Sequence, residues 1–337
     1  MSKSVLYIGN KLSKHGYNKT TIETLGGSFE EEGFVVYYSS SNKNQQLRLL
    51  DMILSTIKYA RIVDYIIIDT YSTSSFWYAF FCSQIARIFN VKYISILHGG
   101  DLPKRLNKNP KLSRMLFKNA FQNVAPSKYL LSEFNKKGFQ NVIYIPNSIE
   151  IKDYSFKERK VFEPKLLWVR AFSTIYNPKM AVDVLKKLQF YYPNATLTMV
   201  GPDKDGSMEA TKQHAKELDV NVCFTNRLSK EDWVKLSEDF DFFINTTHFD
   251  NTPVSVMEAM ALGLPVISTN VGGIPFLVKH NENAILVEAN DSHAMTNAIL
   301  SLINDNAKGF YLVKNARIFV EQMDWDIVKN EWKELLS

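Results

Sequence analysis

Short apolar runs alternate with helix-length amphipathic segments along the whole chain, and this alternation constrains the fold most strongly. Twelve runs have the length and the β-branched and aromatic content of strands. The β–α–β rhythm predicts parallel sheets with helices on both faces, hence an α/β fold, and two sheets suit 337 residues better than one. The predicted strands are Val5–Gly9, Val35–Ser39, Tyr65–Asp69, Tyr93–His98, Asn123–Pro126, Val142–Pro146, Leu166–Arg170, Thr196–Gly201, Val222–Thr225, Phe240–Asn245, Val266–Thr269 and Ala284–Val287.

A break in the pattern near residue 150 predicts a domain boundary. Pro146 ends the last strand of the first half, and Glu150–Glu163 is a charged stretch without apolar period, which is typical of a linker. We therefore expect one domain at residues 1–150 and another at 151–321. The tail, residues 322–337, has the period of an amphipathic helix.

Composition indicates a globular cytosolic protein, with 45% hydrophobic and 22% charged residues. No apolar run approaches the roughly 20 residues that a membrane-spanning helix needs. The richest run, Ser75–Cys82, is interpreted as a buried helix. Two cysteines, Cys82 and Cys223, are too few for a disulfide framework or a zinc site.

Positive charge is concentrated in the first half. Residues 1–150 hold 19 Lys and Arg against 10 Asp and Glu, a charge of +9, and the remainder holds 21 against 25, a charge of −4. This asymmetry predicts an anionic partner for the first half. Its densest stretch alternates cations with apolar residues, as membrane-surface segments and ordinary solvated helices both do, and no nucleic-acid motif accompanies it. Its cations are Lys104, Arg105, Lys108, Lys111, Arg114 and Lys118.

The segment from Phe249 to Gly273 is the strongest candidate for a ligand site. Asp250 is followed eight positions later by Glu258, then by a short apolar helix and a strand that stops before Gly272. A solvated helix face would explain Glu258 but not its apolar neighbours or the glycines. A helix that starts near Pro253 would offer free N–H groups and a positive dipole end to an anion.

Other candidates lie at the carboxyl ends of predicted strands, where open α/β sheets bind ligands. Arg170 could make bidentate contacts with a phosphate there, or could be a solvated charge. Gly201 would let the backbone approach a ligand, although a plain turn explains it equally. His98 is followed by two glycines and Asp101, and a lone histidine is otherwise more often structural.

The sequence Glu258-Ala-Met-Ala-Leu-Gly-Leu-Pro-Val266 resembles the donor-site signature of the retaining nucleotide-sugar glycosyltransferases of family 4. Their signature has Glu-x7-Glu before Ala-Met-Ala-x-Gly-x-Pro-Val, and this chain departs from it with Asp250 as the first acid. The resemblance implies the GT-B fold, two Rossmann-like domains with parallel sheets facing across a cleft. It further implies an N-terminal acceptor domain, a C-terminal donor domain, and a terminal helix that packs back on the first domain.

The same resemblance implies roles for individual residues. Arg170 and Lys179 would clamp the donor diphosphate, Glu258 would bind the ribose, Asp250 would bind a sugar hydroxyl, and His98 would lie near the reacting sugar. Asp101, Lys104, Arg105 and Lys108 are candidates for the acceptor or membrane side. The implied donor-binding residues are Gly16, Gly201, Asn226, Arg227, Leu228, Asp250, Thr252, Pro253, Val254, Ser255 and Glu258.

The expected function is transfer of a sugar from a UDP- or GDP-sugar to a glycan or lipid-linked acceptor in cell-surface polysaccharide synthesis. No cofactor or metal is expected, because Arg170, Lys179 and the helix N-terminus would neutralise the leaving diphosphate. Peripheral contact with anionic membrane is a further expectation. A GT-B nucleotide-sugar epimerase and a non-catalytic nucleotide-sugar-binding subunit remain open alternatives, and a phosphorylase would need a much longer chain.

Overall fold

The computed structural model describes residues 2–17 and 19–337 and divides the chain into two compact units. Unit 1 comprises residues 1–146 and 330–337, and unit 2 comprises residues 147–329. Each unit is built on one six-stranded sheet in which all strand pairs are parallel. The predicted α/β fold with two parallel sheets is confirmed.

Unit 1 has the sheet order β2-β1-β3-β4-β5-β6, so the direction of strand addition reverses between β1 and β3. β3 is buried along its full length, as expected for a central strand covered on both faces. The elements are β1 (Ser4–Ile8), α1 (Thr21–Glu31), β2 (Val35–Ser39), α2 (Gln45–Tyr59), β3 (Tyr65–Thr70), α3 (Phe76–Ile88), β4 (Lys92–Leu97), α4 (Leu102–Lys108), α5 (Pro110–Phe117), β5 (Gln122–Ala125), α6 (Lys128–Lys136) and β6 (Val142–Tyr144).

Unit 2 has the sheet order β12-β11-β10-β7-β8-β9, which reverses between β7 and β10. This is the strand order of a dinucleotide-binding domain. The elements are β7 (Lys165–Val169), α7 (Pro178–Tyr191), β8 (Thr196–Val200), α8 (Ser207–Glu217), β9 (Cys223–Asn226), α9 (Lys230–Leu236), β10 (Phe242–Asn245), α10 (Val254–Ala261), β11 (Val266–Thr269), α11 (Ile274–Leu277), β12 (Ile285–Val287), α12 (Ser292–Asn304), α13 (Asn306–Glu321) and the start of α14 (Trp325–Leu335), which continues into unit 1.

Successive side chains of β7 belong alternately to the two apolar layers of unit 2, one on each face of the sheet. Leu166 and Trp168 belong to the core beneath α7 and α12, whereas Leu167 belongs to the core beneath α10 and α13. Both layers are needed to bury a parallel sheet. The sheet is therefore covered on both faces, and the loops at its carboxyl edge begin from buried strands.

The end of the chain packs against α1 within unit 1. Trp332 makes an edge-on contact with Phe29, the Lys333 ammonium lies 2.5 Å from a carboxylate oxygen of Glu32, and the Tyr65 hydroxyl donates to the Ser337 carbonyl at 3.0 Å. These contacts fix the last turn of α14 to unit 1.

Helix α3 departs from its interpretation as a buried helix. It does bury Phe76 and Cys82, but Trp77 and Phe81 are each 41% exposed and Ile88 is 78% exposed. The run is continuous in sequence, yet a helix of this layer contacts the sheet with one face only. Across residues 2–17 and 19–337, no helix combines the length and apolarity that crossing a bilayer requires.

Candidate functional site

Arg170 and Asp250 meet at the point where the strand order of unit 2 reverses. Arg170 directly follows β7 and Asp250 lies in the loop after β10, and these strands are neighbours. Their side chains form an ion pair between Nη2 and Oδ2, and are 14% and 15% exposed. Crevices at such switch points are the usual ligand sites of open α/β sheets.

The guanidinium of Arg170 keeps donors for a ligand while its plane is fixed. Its carbon lies 4.1 Å from the centre of the Tyr176 ring, a cation–π contact. Its Nε is buried and has no hydrogen-bond partner in the described part of the chain. Since a guanidinium has five N–H donors and Asp250 engages Nη2, an anion could still be bound.

Glycine at position 201 lets the ends of β7 and β8 pass closely. A Cβ there would lie 1.8 Å from the Arg170 carbonyl oxygen, so no larger residue fits. The Gly201 N–H donates to the Asn226 carbonyl at 2.8 Å, and Asn226 has the left-handed φ of 58° that asparagine tolerates. Asn226 therefore supplies both the backbone turn and the acceptor that this crossing of the chain requires. The close approach, rather than a plain turn, accounts for Gly201.

The N-terminus of α10 follows Asp250 by a few residues and is not capped. The helix begins at Val254, one residue after the predicted start, because Pro253 is extended and serves as the N-cap without a side-chain hydrogen bond. The Oγ of Ser255 is buried and has no hydrogen-bond partner among the described residues. Free N–H groups and an unused hydroxyl suit an anion. Thr252 is half-buried in the loop just before this end of the helix.

Glu258 lies one turn into α10 and is held by a tyrosine from the interdomain segment. The Tyr154 hydroxyl donates to Oε1 at 2.6 Å. Burial raises the pKa of the Glu258 carboxyl above its ordinary value, an effect opposed by this hydrogen bond and by Lys230. Burial and the charge of Glu258 in turn raise the pKa of Tyr154 far above its usual range, so its hydroxyl remains a donor.

Two glycines after β11 close the loop that carries Asp250. The Gly273 N–H donates to the Asp250 carbonyl at 2.8 Å. A Cβ at Gly272 would lie 2.3 Å from that oxygen, and one at Gly273 would lie 2.0 Å from the Asn251 carbonyl oxygen. The glycine pair in the sequence motif is thus required for the position of Asp250.

Three predicted donor-site residues are less closely organised. Lys179 is the second residue of α7 and is exposed, and within the described residues no hydrogen bond or ion pair joins it to Arg170 or Asp250. Arg227 is exposed in the loop after β9, and Leu228 packs against the core beneath α10.

In unit 1 the predicted residues follow β1 and β4. Gly16 ends a single 3₁₀ turn with a left-handed φ of 82°, and Asn18, two residues further along, lies outside the described residues. His98 directly follows β4, and its Nε2 lies 2.8 Å from Oδ1 of the buried Asp69. Since parallel strands end at one edge, both positions belong to the carboxyl edge of this sheet.

Helices α4 and α5 carry the basic stretch, and one of its cations, Arg105, is bonded within unit 1. The Arg105 guanidinium donates to the carbonyls of Ser72 and Thr73 and to Asn109, so it fixes a loop and has little left for a partner. Lys104 is 80% exposed and pairs with Asp101 at 2.7 Å. Lys108 is exposed as well.

Asp-x-Asp sequences, the usual sign of a metal-held diphosphate, occur at residues 203–205, 239–241 and 324–326. Asp205 accepts hydrogen bonds from Ser173, Thr174 and Ser207, which lower the pKa of its carboxyl, and Asp241 pairs with Arg159. Their carboxylates hold loops. Nowhere in the described ranges do three or more His, Cys, Asp or Glu side chains gather as metal ligands.

Asp69 in unit 1, and Tyr154 and Tyr176 in unit 2, contact predicted residues of their own unit and were missed from the sequence. Asp69 had a usable signal, because a carboxylate at the end of the apolar strand Tyr65–Thr70 is unusual. Tyr154 lies in a segment interpreted only as a linker, and Tyr176 in a loop, so neither carried a pattern.

Comparison with known proteins identifies the fold and the family. Along 98% of this chain and 94% of the relative, the sequence is 25% identical to an uncharacterized glycosyltransferase of Haemophilus influenzae. The fold matches sucrose-phosphate synthase from Thermosynechococcus elongatus with a TM-score of 0.82 and 17% identity, covering 99% and 98% of the two chains. It matches Anabaena HepE, solved with UDP and glucose, with a TM-score of 0.77 and 18% identity over 99% of both chains.

The sequence model of the family described as glycosyl transferases group 1 matches residues 150–319, half of the chain and nearly all of unit 2. The matched region includes Arg170, Asp250 and Glu258. The solved neighbours share the GT-B fold. The chain therefore belongs to the glycosyl transferases group 1 family and is a glycosyltransferase of the GT-B fold.

Proposed function

We propose that the chain is a retaining hexosyltransferase of family 4 that moves a sugar from a UDP- or GDP-sugar to a glycan or lipid-linked acceptor in cell-surface polysaccharide synthesis. The observation that carries the proposal is the contact of Arg170 with Asp250 at the switch point of unit 2, just before the uncapped N-terminus of α10. The likeness to HepE, whose structure holds UDP and glucose, supports a uridine nucleotide.

In this proposal unit 2 binds the donor through charges that the chain itself supplies. Arg170, Lys179 and the first N–H groups of α10 contact the diphosphate and stabilise its developing charge, with no metal ion required. Tyr154 holds one oxygen of Glu258, which leaves the other for the ribose hydroxyls. Asp250 accepts from a sugar hydroxyl, and its pairing with Arg170 keeps both groups oriented before the donor binds.

A panel of nucleotide sugars tests the donor class. We expect a UDP- or GDP-sugar to raise the melting temperature of the full chain, because a ligand that binds only the folded state stabilises it. With an acceptor glycan, the product should keep the anomeric configuration of the donor, as proton NMR of the first product shows. An inverted product, or stabilisation by neither nucleotide, would contradict the proposal.

The same assay separates the alternatives. An epimerase would change the sugar of the donor without any acceptor present. A non-catalytic subunit would bind the nucleotide sugar but give neither transfer nor epimerisation.

We further propose that unit 1, as the acceptor-binding side, docks on anionic lipid at the inner face of the cell membrane. One face of α2 exposes four aliphatic side chains at three- and four-residue spacing, each between 46% and 64% exposed. Helix α3, which packs against α2, exposes Trp77, Phe81 and Ile88 on one face. The aliphatic residues of α2 are Leu47, Leu50, Leu54 and Ile57.

The charges around these two apolar faces favour a membrane over a second copy of the chain. Exposed cations flank the faces, and Asp51 is the single acidic residue on α2 and α3. Two copies in contact would oppose like charges, whereas anionic lipid headgroups attract them. Aromatic side chains such as Trp77 are favoured at the bilayer interface. The flanking cations are Lys43, Lys58, Arg61 and Arg87.

A further inference from the structure

A buried carboxylate of unit 1 lies at the strand-order reversal between β1 and β3. Asp69, the second-last residue of β3, is fully buried. Its Oδ1 lies 2.8 Å from His98 Nε2 and accepts a hydrogen bond from the Tyr7 hydroxyl at 3.1 Å. Among the described residues, His98 is its one ion-pair partner. The Asp69 carboxylate therefore pairs with a histidine and not with a lysine or arginine.

The contact specifies which nitrogen of His98 carries a proton. Oδ1 acts as an acceptor from Tyr7, and burial together with the negative charge of Asp69 raises the pKa of that tyrosine, so Tyr7 remains a donor. An acceptor oxygen 2.8 Å away places the imidazole proton on Nε2. In the neutral ring, Nδ1 is then an acceptor without a proton.

The His98 ring is also held from its face. The Tyr71 ring stacks on it at 4.9 Å and 21° between planes, while the backbone N–H of His98 donates to the Thr70 carbonyl at 2.8 Å and fixes the main chain at this position. The side chain is 11% exposed, so it is held yet reachable. With Nε2 bonded to Asp69, the imidazole has only Nδ1 left for a hydrogen bond to a ligand.

The absence of a side chain at Gly9 leaves room for the Asp69 carboxylate, and burial of that carboxylate lowers the stability of the fold. A Cβ at position 9 would lie 2.6 Å from Asp69 Oδ2 and 3.1 Å from the Cβ of Ile22. Oδ2 itself is buried and makes no hydrogen bond to the described part of the chain. Burying a carboxylate with one oxygen unused is unfavourable. Stability therefore does not account for Asp69, and a role in orienting His98 does.

We propose that Asp69 is a positioning residue that holds His98 in the tautomer protonated on Nε2, so that Nδ1 accepts a hydrogen bond from a substrate hydroxyl. The identity of that substrate rests on the proposed function, but the tautomer does not. Asp69 acts through His98 and has no contact with substrate in this account.

The tautomer is read directly by two-bond proton–nitrogen correlation spectra of the full chain labelled with ¹⁵N-histidine. The His98 signals are identified among those of the six histidines by their loss in His98→Gln. At a pH where the spectrum shows a neutral ring, we expect the proton of wild-type His98 on Nε2. A neutral wild-type ring protonated on Nδ1 instead would overturn the proposal.

Two variants separate positioning from general disturbance of the buried cluster. Asp69→Asn has the same shape but can present an NH₂ group to Nε2, so we expect the proton to move to Nδ1 in a substantial part of the population. Tyr7→Phe removes the other donor to the same oxygen and leaves the charge, so the Nε2 proton should remain. Equal tautomer changes in both variants would overturn the assignment to Asp69.

Steady-state kinetics then show whether the tautomer matters for transfer. Asp69→Asn should lower kcat roughly 10–100-fold, by analogy with the loss of a carboxylate that orients a metal-bound histidine. The KM for the nucleotide sugar should change little. An unchanged kcat in a variant with an altered tautomer would refute the positioning role. Absence of transfer with every donor would instead refute the proposed function and leave the spectral result intact.

Discussion

At the scale of single residues, Glu258 shows how a binding group is held ready at a cost in stability. Its carboxyl is mostly buried on α10, and the Tyr154 hydroxyl partly compensates its charge. Burial raises the pKa of the folded state above the ordinary 4.5. Folding therefore becomes less favourable as pH rises through 4.5 toward the folded pKa, because the unfolded chain gives up its proton first.

Glu258→Gln should thus stabilise the protein at neutral pH while weakening the donor site. Gln can still accept from Tyr154 but has no charge to bury. Below the ordinary carboxyl pKa the two proteins should unfold alike, since protonated Glu resembles Gln. Denaturant titrations at acidic and neutral pH measure the difference, and calorimetry measures the loss of nucleotide-sugar affinity. A variant less stable than wild type only at neutral pH would contradict this account of Glu258.

Sequence reasoning reached some of these residues and missed others for physical reasons. Arg170, Asp250 and Glu258 were found because a strand end and a motif marked them. What was missed is the pairing of Arg170 with Asp250, 80 residues away, and of Glu258 with Tyr154, 104 residues away. Side-chain pairing over such distances depends on the folded backbone, so periodicity carries no trace of it. Asp69 could have been found as a lone acid ending an apolar strand.

At the scale of elements, the loop between β10 and α10 is positioned by the glycine pair after β11. Gly273→Ala should force this loop to move, because the added Cβ would lie 2.0 Å from the Asn251 carbonyl oxygen. We expect a loss of about 1–3 kcal/mol in the free energy of unfolding. Nucleotide affinity should fall with it, since the loop leads into the N-terminus of α10, which is assigned to the diphosphate.

Gly27→Ala is the matched control. A Cβ at Gly27, in the middle of α1, would meet no atom within 4 Å. Alanine in a helix should stabilise the protein by roughly 0.5–1 kcal/mol. If both substitutions had the same effect on unfolding and on nucleotide affinity, the close packing of the loop would not be the cause.

The strands were predictable because local pattern decides them. All twelve predicted strands exist, each within two residues at either end, since apolar runs bounded by turn residues have few other places in an α/β fold. The order of the strands was not predicted, because non-local pairing decides it. The two reversals, between β1 and β3 and between β7 and β10, are what bring the candidate residues together.

At the scale of the whole molecule, the uneven charge predicts binding to anionic vesicles that fades with salt. Replacing Leu50 and Leu54 with Gln should weaken vesicle co-sedimentation, because it removes apolar area from the exposed face of α2. Lys104→Gln with Lys108→Gln should mainly reduce the salt dependence. Phe190→Gln, which removes an 84% exposed side chain from unit 2, is the control and should have no effect.

Two results would contradict membrane docking through α2 and α3. Indifference to anionic lipid at low ionic strength would remove the membrane proposal and favour a soluble acceptor. A concentration-dependent dimer that the Leu50 and Leu54 substitutions dissolve would show that a second copy covers α2 and α3 instead.

The most direct test of the account is calorimetric titration of UDP and GDP, without a sugar, into wild type, Arg170→Gln and Asp250→Asn. Both substitutions break the same ion pair, but only the first removes the cation assigned to the diphosphate. We expect Arg170→Gln to cost about 1.5–3 kcal/mol of binding free energy, as loss of a charged hydrogen bond does, and Asp250→Asn to bind at least as well as wild type. Equal losses in both variants, or none in Arg170→Gln, would contradict a donor site at the switch point of unit 2.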